Sequence, residues 1–169
     1  GRATGVELAS GESIAADLVI CNGDPAQIYR NLVPAENRKR WTNRRIDALK
    51  YSMGLYVLYF GTDRKYTDVE HHTIVFGEQY QELLQRIFAG EPAGDDLSLY
   101  LHRPTATDPN LAPEGKDTFY VLAPVPNLQR HDWLAVQDQV RERVIDILEQ
   151  RILPDLRQHM DVCFDLDPM

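Results

Sequence analysis

Ser52-Met53-Gly54-Leu55-Tyr56-Val57-Leu58-Tyr59-Phe60-Gly61 is the stretch on which the fold turns. It is rich in aromatic and β-branched residues and closes on a glycine, so it reads as a strand. Leu55, Val57 and Tyr59 alternate with Tyr56, Leu58 and Phe60, which makes both of its faces apolar. Phe119, Val121 and Ala123 alternate with Tyr120 and Leu122 in the same way. A strand apolar on both sides needs cover on both sides. Amphipathic helices supply one cover. The other is either a second domain, by ordinary interdomain packing, or a large hydrophobic ligand. For a ligand, Tyr56, Tyr100 and Tyr120 are the candidate wall residues, each offering flat apolar area with a polar tip.

Outward from this strand, Thr4–Leu8 and Ser13–Ile20 read as a hairpin turning at Gly11 and feeding a buried strand, Leu18-Val19-Ile20. Asn22-Gly23-Asp24-Pro25 breaks that strand and starts a helix, with Asp24 as its cap and Pro25 in its first turn. A second, basic helical segment is expected from about Ala35 to Leu49. His72–Phe76 reads as a strand. Tyr80, Leu83, Leu84, Ile87 and Phe88 share one helical face that Gly90 ends. Leu97–Arg103 and Thr118–Val125 read as strands around a proline-rich turn. A long helix is expected from about Asp132 to Leu153 and a last strand from Met160 to Leu166. The order implies an α+β (mixed α/β) fold with a largely antiparallel central sheet flanked by helices.

The 169 residues have a globular composition, 43% hydrophobic and 26% charged, and a net charge of −8. That acidity argues against a dedicated nucleic-acid binder, which must neutralise phosphates. Cys21 and Cys163 are too few for a disulfide framework, so a reduced compartment is expected. No stretch approaches the roughly 18 apolar residues of a membrane-spanning helix. The start at Gly1, inside a hairpin, and the finish at the end of a strand read as cuts through a larger protein.

Motifs for independent catalysis are missing. No two of the ten glycines are separated by a single residue, so there is no GxGxxG loop to approach a pyrophosphate. GxSxG, HExxH and CxxC are absent as well. His71 and His72, in a strand, point to opposite faces, so no metal is expected there. His102, on an otherwise apolar strand, reads as a satisfied core histidine. Residues 38–50 carry six of the 18 cations. They read as a solvated helix face, or else as a contact for anionic lipid headgroups or a partner.

Several passages together resemble the phytoene desaturase (phytoene dehydrogenase) family of bacterial-type, FAD-dependent carotenoid desaturases. They are Asp17-Leu18-Val19-Ile20-Cys21-Asn22-Gly23-Asp24-Pro25, the strand at 52–61, Ser98-Leu99-Tyr100-Leu101-His102-Arg103-Pro104, and Asn110–Gly115 followed by Phe119–Pro126. His71–Gly77 fits the same pattern. The resemblance implies an internal fragment of a two-domain, amine-oxidase-like flavoprotein. Residues 1–24 would be the tail of the FAD-binding domain and 25–169 a truncated substrate-binding domain. It further implies FAD in the parent protein, approached by Asn22, Gly23 and Asp24, and a hydrophobic polyene such as phytoene as substrate. Hydride would pass to the flavin and a proton would leave the neighbouring carbon. The parent is expected to be cytoplasmic and peripherally membrane-associated. The chain alone, lacking its FAD domain, is expected to be inactive and to bind no FAD. A carotenoid isomerase, an amine oxidase and a non-enzymatic lipid-binding or interaction module remain as alternatives.

Overall fold

A computed structural model describes residues 2–128 and 132–168. The chain forms two compact units that divide after Lys50, so the segment from Pro25 to Lys50 groups with the N-terminal hairpin.

The first unit opens with a two-stranded antiparallel hairpin, β1 (Gly5–Glu7) and β2 (Ser13–Ala15). Gly11 turns it at a φ of 86°, a conformation costly for residues with a Cβ. The strand expected at Leu18-Val19-Ile20 does not form, and Leu18 and Ile20 are exposed. The described residues offer that run no neighbouring strand, and an apolar run without one has no ladder to join. Asp24 caps α1 (Pro25–Gln27) as expected, its carboxylate accepting from the Gln27 N–H at 2.9 Å. The basic segment is broken into a 3₁₀ turn at Ala35–Asn37 and α2 (Asn43–Asp47), capped by the Thr42 hydroxyl. The intervening residues hold Trp41, stacked on Tyr29 at 5.0 Å, with the Arg45 guanidinium over its ring.

The second unit is built on a five-stranded sheet in the order β4-β5-β6-β3-β7, every pair antiparallel. The strands are β3 (Gly54–Thr62), β4 (His72–Val75), β5 (Leu99–His102), β6 (Asp117–Val125) and β7 (Met160–Leu166). The two runs apolar on both faces, β3 and β6, pair along their whole nine-residue lengths at the centre. At Gly61 the β7 register slips, and a Cβ there would come within 2.9 Å of the Val162 side chain. Glycine permits that approach.

One face of the sheet carries the core. Tyr56, Leu58 and Phe60 meet Phe119, Val121 and Ala123 under α3 (Tyr80–Ala89) and α4 (Gln137–Arg151). Leu83 and Ile87 come from α3, Val144, Ile147 and Leu148 from α4, and Trp133 from the 3₁₀ turn before α4. The apolar stripe expected along α3 is narrower in the structure: Phe88 is exposed and Tyr80 partly so. The long helix is shorter than expected at its start, because Trp133–Ala135 winds as a 3₁₀ turn before Gln137. A short α5 (Leu156–His159) leads into β7.

Behind β5 and β6 lies a buried polar knot. Asp117 receives Arg103 Nε at 2.9 Å, the Tyr66 N–H at 2.8 Å and the Thr105 hydroxyl at 2.8 Å, and a second Arg103 nitrogen donates to the Val69 carbonyl at 2.9 Å. Both charges are almost fully buried and satisfied. Such an arrangement fixes the turn at 103–105 against the sheet end, and losing one partner would strand the other.

Candidate functional site: the open face of the sheet

Strand alternation sends every second residue to the opposite face, and there the helices give no cover. Leu55, Ile74, Val162, Phe164 and Leu166 are all exposed, between 45% and 62%. Among the described residues, helices thus cover one face of the sheet, as expected, and leave the other open. An exposed apolar patch of this kind marks a surface that meets a partner or a ligand.

The register assembles an ordered feature on this face. Phe164 lies opposite Tyr59, Tyr59 opposite Tyr120, Tyr120 opposite His102 and His102 opposite His72. One row of rings thus crosses all five strands. Phe164 and Tyr59 stack at 4.9 Å, Tyr59 and Tyr120 lie 5.7 Å apart, Tyr120 and His102 4.6 Å, and His102 and His72 5.1 Å. At the strand spacing of a sheet, four such steps span about 19 Å. Tyr100 flanks the row, 6.1 Å from Tyr120. Burial and the hydroxyl of Tyr100 raise the Tyr120 phenol above its ordinary value, so it stays neutral. The row is smooth and apolar towards β7 and polar towards β4.

Of the three expected wall residues, Tyr100 and Tyr120 lie together on this face. Tyr56 does not. It is fully buried on the helix side, tilted against Trp133 at 5.8 Å, with its hydroxyl donating to Asp165 at 2.9 Å. Burial, with help from the Asp165 carboxylate, pushes its phenol far above the usual range. The reason is parity: Tyr56 pairs with Ala123, three positions, an odd number, from the Tyr59–Tyr120 pair. Tyr59 and Phe164 lie on this face instead, although neither is among the expected wall residues. Alternation alone places Tyr59 opposite in sense to Tyr56, but Phe164 joins it only through the long-range pairing with β7.

The argument that His71 and His72 cannot share an ion also fails. His71 lies just before β4, its carbonyl accepting the Arg103 N–H at 2.9 Å, outside the regular alternation. Its ring comes within 4.3 Å of His72 and 4.6 Å of His102. Nor is His102 a satisfied core histidine: its Nδ1 is buried without a hydrogen-bond partner among the described residues.

Asn22, Gly23 and Asp24 are exposed in the first unit. The Asp24 carboxylate is committed to capping α1, and a Cβ on Gly23 would meet only an ordinary contact with Ile28 at 3.6 Å. No Gly-rich loop accompanies them, and three residues of helix make no anion site. The residues of this chain therefore do not by themselves build an FAD site. A wide-open polar groove of about 910 Å³ lies beside α3, lined by Glu78, Glu82, Arg86 and Glu91, none of which is in the ring row.

Comparison with known proteins places this geometry in a family. The chain is 42% identical over 164 residues to a neurosporene-forming phytoene desaturase of Rhodobacter capsulatus, covering 94% of this chain and 31% of that protein. It is 47% identical over 156 residues to the corresponding protein of Cereibacter sphaeroides (89% and 30%) and 45% identical over 161 residues to a lycopene-forming phytoene desaturase of Paracoccus sp. (94% and 32%). The chain thus spans about a third of the length of these curated relatives. Among solved structures, an oxidoreductase from Methanosarcina mazei shares the fold with a TM-score of 0.57 at 16% identity, over 98% of this chain and 34% of that one. Residues 1–168 match the family described as flavin containing amine oxidoreductase, and the chain belongs to that family.

Proposed function

We propose that this chain is the polyene-contacting part of an FAD-dependent carotenoid desaturase, and that the open face of the sheet forms one wall of its hydrocarbon channel. The observation that carries the reading is the ring row Phe164–Tyr59–Tyr120–His102–His72 on a face left without helices. A polyene precursor has no polar handle, so its binding depends on apolar area and shape. Flat rings in register offer both, with little side-chain entropy to lose. The desaturases among its relatives supply the reaction class: a carbon–carbon single bond becomes double with loss of two hydrogens. In the whole enzyme FAD would provide the redox chemistry, while this wall holds the chain straight and excludes water.

In this reading residues 1–24 belong to the FAD domain and 25–169 to the substrate domain. The exposed Leu18 and Ile20 support it, since an apolar run without a sheet is what a strand separated from its neighbours looks like. Asn22, Gly23 and Asp24 would then approach the cofactor from the end of that strand. Exposed Lys39, Arg40, Arg44, Arg45 and Lys50 suit a peripheral contact with anionic headgroups of the bilayer in which such a substrate resides.

The test is the gene that carries this chain, expressed in phytoene-accumulating cells. Dehydrogenated carotenoids should accumulate, and Tyr120→Ala or Phe164→Ala should reduce them at unchanged protein level. Absence of any dehydrogenated product from the native gene, or indifference to both substitutions, would overturn the reading.

A further inference from the structure

Three histidines converge at the β4 end of the sheet; His72 and His102 also end the ring row of the desaturase reading, but nothing in that reading calls for His71 beside them. His71 precedes β4, His72 opens it, and His102 ends β5 directly opposite His72. One ring nitrogen from each lies within 4.8 Å of the other two. Three imidazoles this close, one of them with a buried Nδ1 that has no partner among the described residues, gain little from one another without a shared ligand.

We propose that His71, His72 and His102 form a binding site for a divalent transition-metal ion of the zinc class. The geometry meets the demands of such a site. Imidazole is a preferred ligand of zinc, nickel and copper ions, and three of them leave a fourth position for water. The unused nitrogens on two of the rings already have partners that would orient them. His71 Nδ1 is hydrogen-bonded to the Thr107 hydroxyl, and His72 Nδ1 to the Tyr100 hydroxyl at 2.6 Å. The His71 contact leaves its Nε2 facing His102, as outer partners do around metal-bound histidines. His71 Nε2 and His102 Nε2 sit 2.7 Å apart, at hydrogen-bond distance. Nitrogens around a tetrahedral zinc ion lie about 3.3 Å apart, by simple geometry from the usual bond length. Side-chain rotation would open the pair by that small amount, and the proton between the two nitrogens would move to the Nδ1 of its own ring as the ion takes the place of the hydrogen bond.

The ion would join β4, β5 and the residue that leads into β4. It would therefore tie down a sheet edge at the polar end of the ring row. The partners Tyr100 and Thr107 would tune it without touching it.

The experiment titrates the metal-stripped, purified chain with cobalt(II), followed by visible absorption, and then displaces cobalt with zinc. One ion per chain and a tetrahedral cobalt spectrum are expected, with a zinc-dependent rise in the melting midpoint. His71→Ala, His72→Ala and His102→Ala should each abolish the spectrum. Tyr100→Phe and Thr107→Val should weaken binding about 10-fold or more. His159→Ala, whose ring faces Asp63 instead, should change nothing. Circular dichroism checks that each variant is folded, and His102→Gln replaces His102→Ala if that variant is not. No saturable uptake by the native chain, or uptake that survives loss of His102 in a folded variant, overturns the site.

Discussion

Phe119 and Phe164 provide a matched comparison of the two faces of the sheet. Each is a phenylalanine in a β-strand and each stacks on one cross-strand ring, Phe60 at 5.0 Å and Tyr59 at 4.9 Å respectively. Phe119 is 2% exposed in the core and also meets the edge of Tyr66 at 6.0 Å, whereas Phe164 is 56% exposed. Truncating a buried phenylalanine to alanine removes transfer energy and leaves a cavity, together about 3–5 kcal/mol. Truncating Phe164 removes a ring pair and part of an already wet surface, about 0.5–1.5 kcal/mol. For the unit from Tyr51 onwards the unfolding entropy is about 0.25 kcal/mol/K. Phe119→Ala should therefore lower the melting temperature by about 12–20 °C, and Phe164→Ala by about 2–6 °C. Thermal melts followed by circular dichroism measure both. If Phe164→Ala costs as much as Phe119→Ala, the face is covered in solution and cannot be an open wall.

Three further outcomes follow from the same contacts. Asp117→Ala leaves the Arg103 guanidinium buried without its counter-ion and the Tyr66 N–H and Thr105 hydroxyl unpaired, so it should cost about 3–5 kcal/mol in a urea titration. A loss below about 1 kcal/mol would refute that account of the knot. The Arg157 backbone N–H, reinforced by its guanidinium, holds the Glu149 carboxyl below the usual carboxylate value. Its folded value is depressed, so the unfolded chain takes up the proton first and stability falls as pH drops below about 4.5. Glu149→Gln should flatten the acid limb of the melting temperature plotted against pH, and an unchanged limb would contradict the assignment. Cys163 is partly buried beside Arg141, and burial raises its thiol, whereas Cys21 is exposed. Iodoacetamide at mildly alkaline pH should therefore modify Cys21 well before Cys163, as peptide mapping would show.

The core architecture was legible because it rests on local periodicity. Residues 52–61 and 118–125 announce two-sided strands, the Tyr80–Ala89 pattern announces a helix, and Gly90 ends it in the left-handed conformation that favours glycine. Asp24 declares its cap for the same local reason. What escaped the sequence depends on distant pairing. Tyr56 was grouped with Tyr100 and Tyr120 although its parity sends it to the helix side, a relation that only the β3–β6 register reveals. Phe164 and the three histidines needed the positions of β7, β4 and β5, and no spacing along the chain encodes those. Leu18-Val19-Ile20 shows the converse: its apolar pattern is strand-like, but a strand also needs a neighbour to bond with. The basic segment is broken into a 3₁₀ turn and α2, with Trp41 between them stacked on Tyr29, a contact from outside the segment that its own sequence does not announce.

Photo-cross-linking tests the wall directly. A diazirine-bearing isoprenoid hydrocarbon, irradiated with the purified protein and mapped by mass spectrometry, should mark peptides containing Tyr59, Tyr120, Phe164 and Leu166. Labelling confined to the outer surfaces of α3 and α4, or to the groove at Glu78–Glu91, would show that the hydrocarbon lies elsewhere and that the ring row serves another purpose.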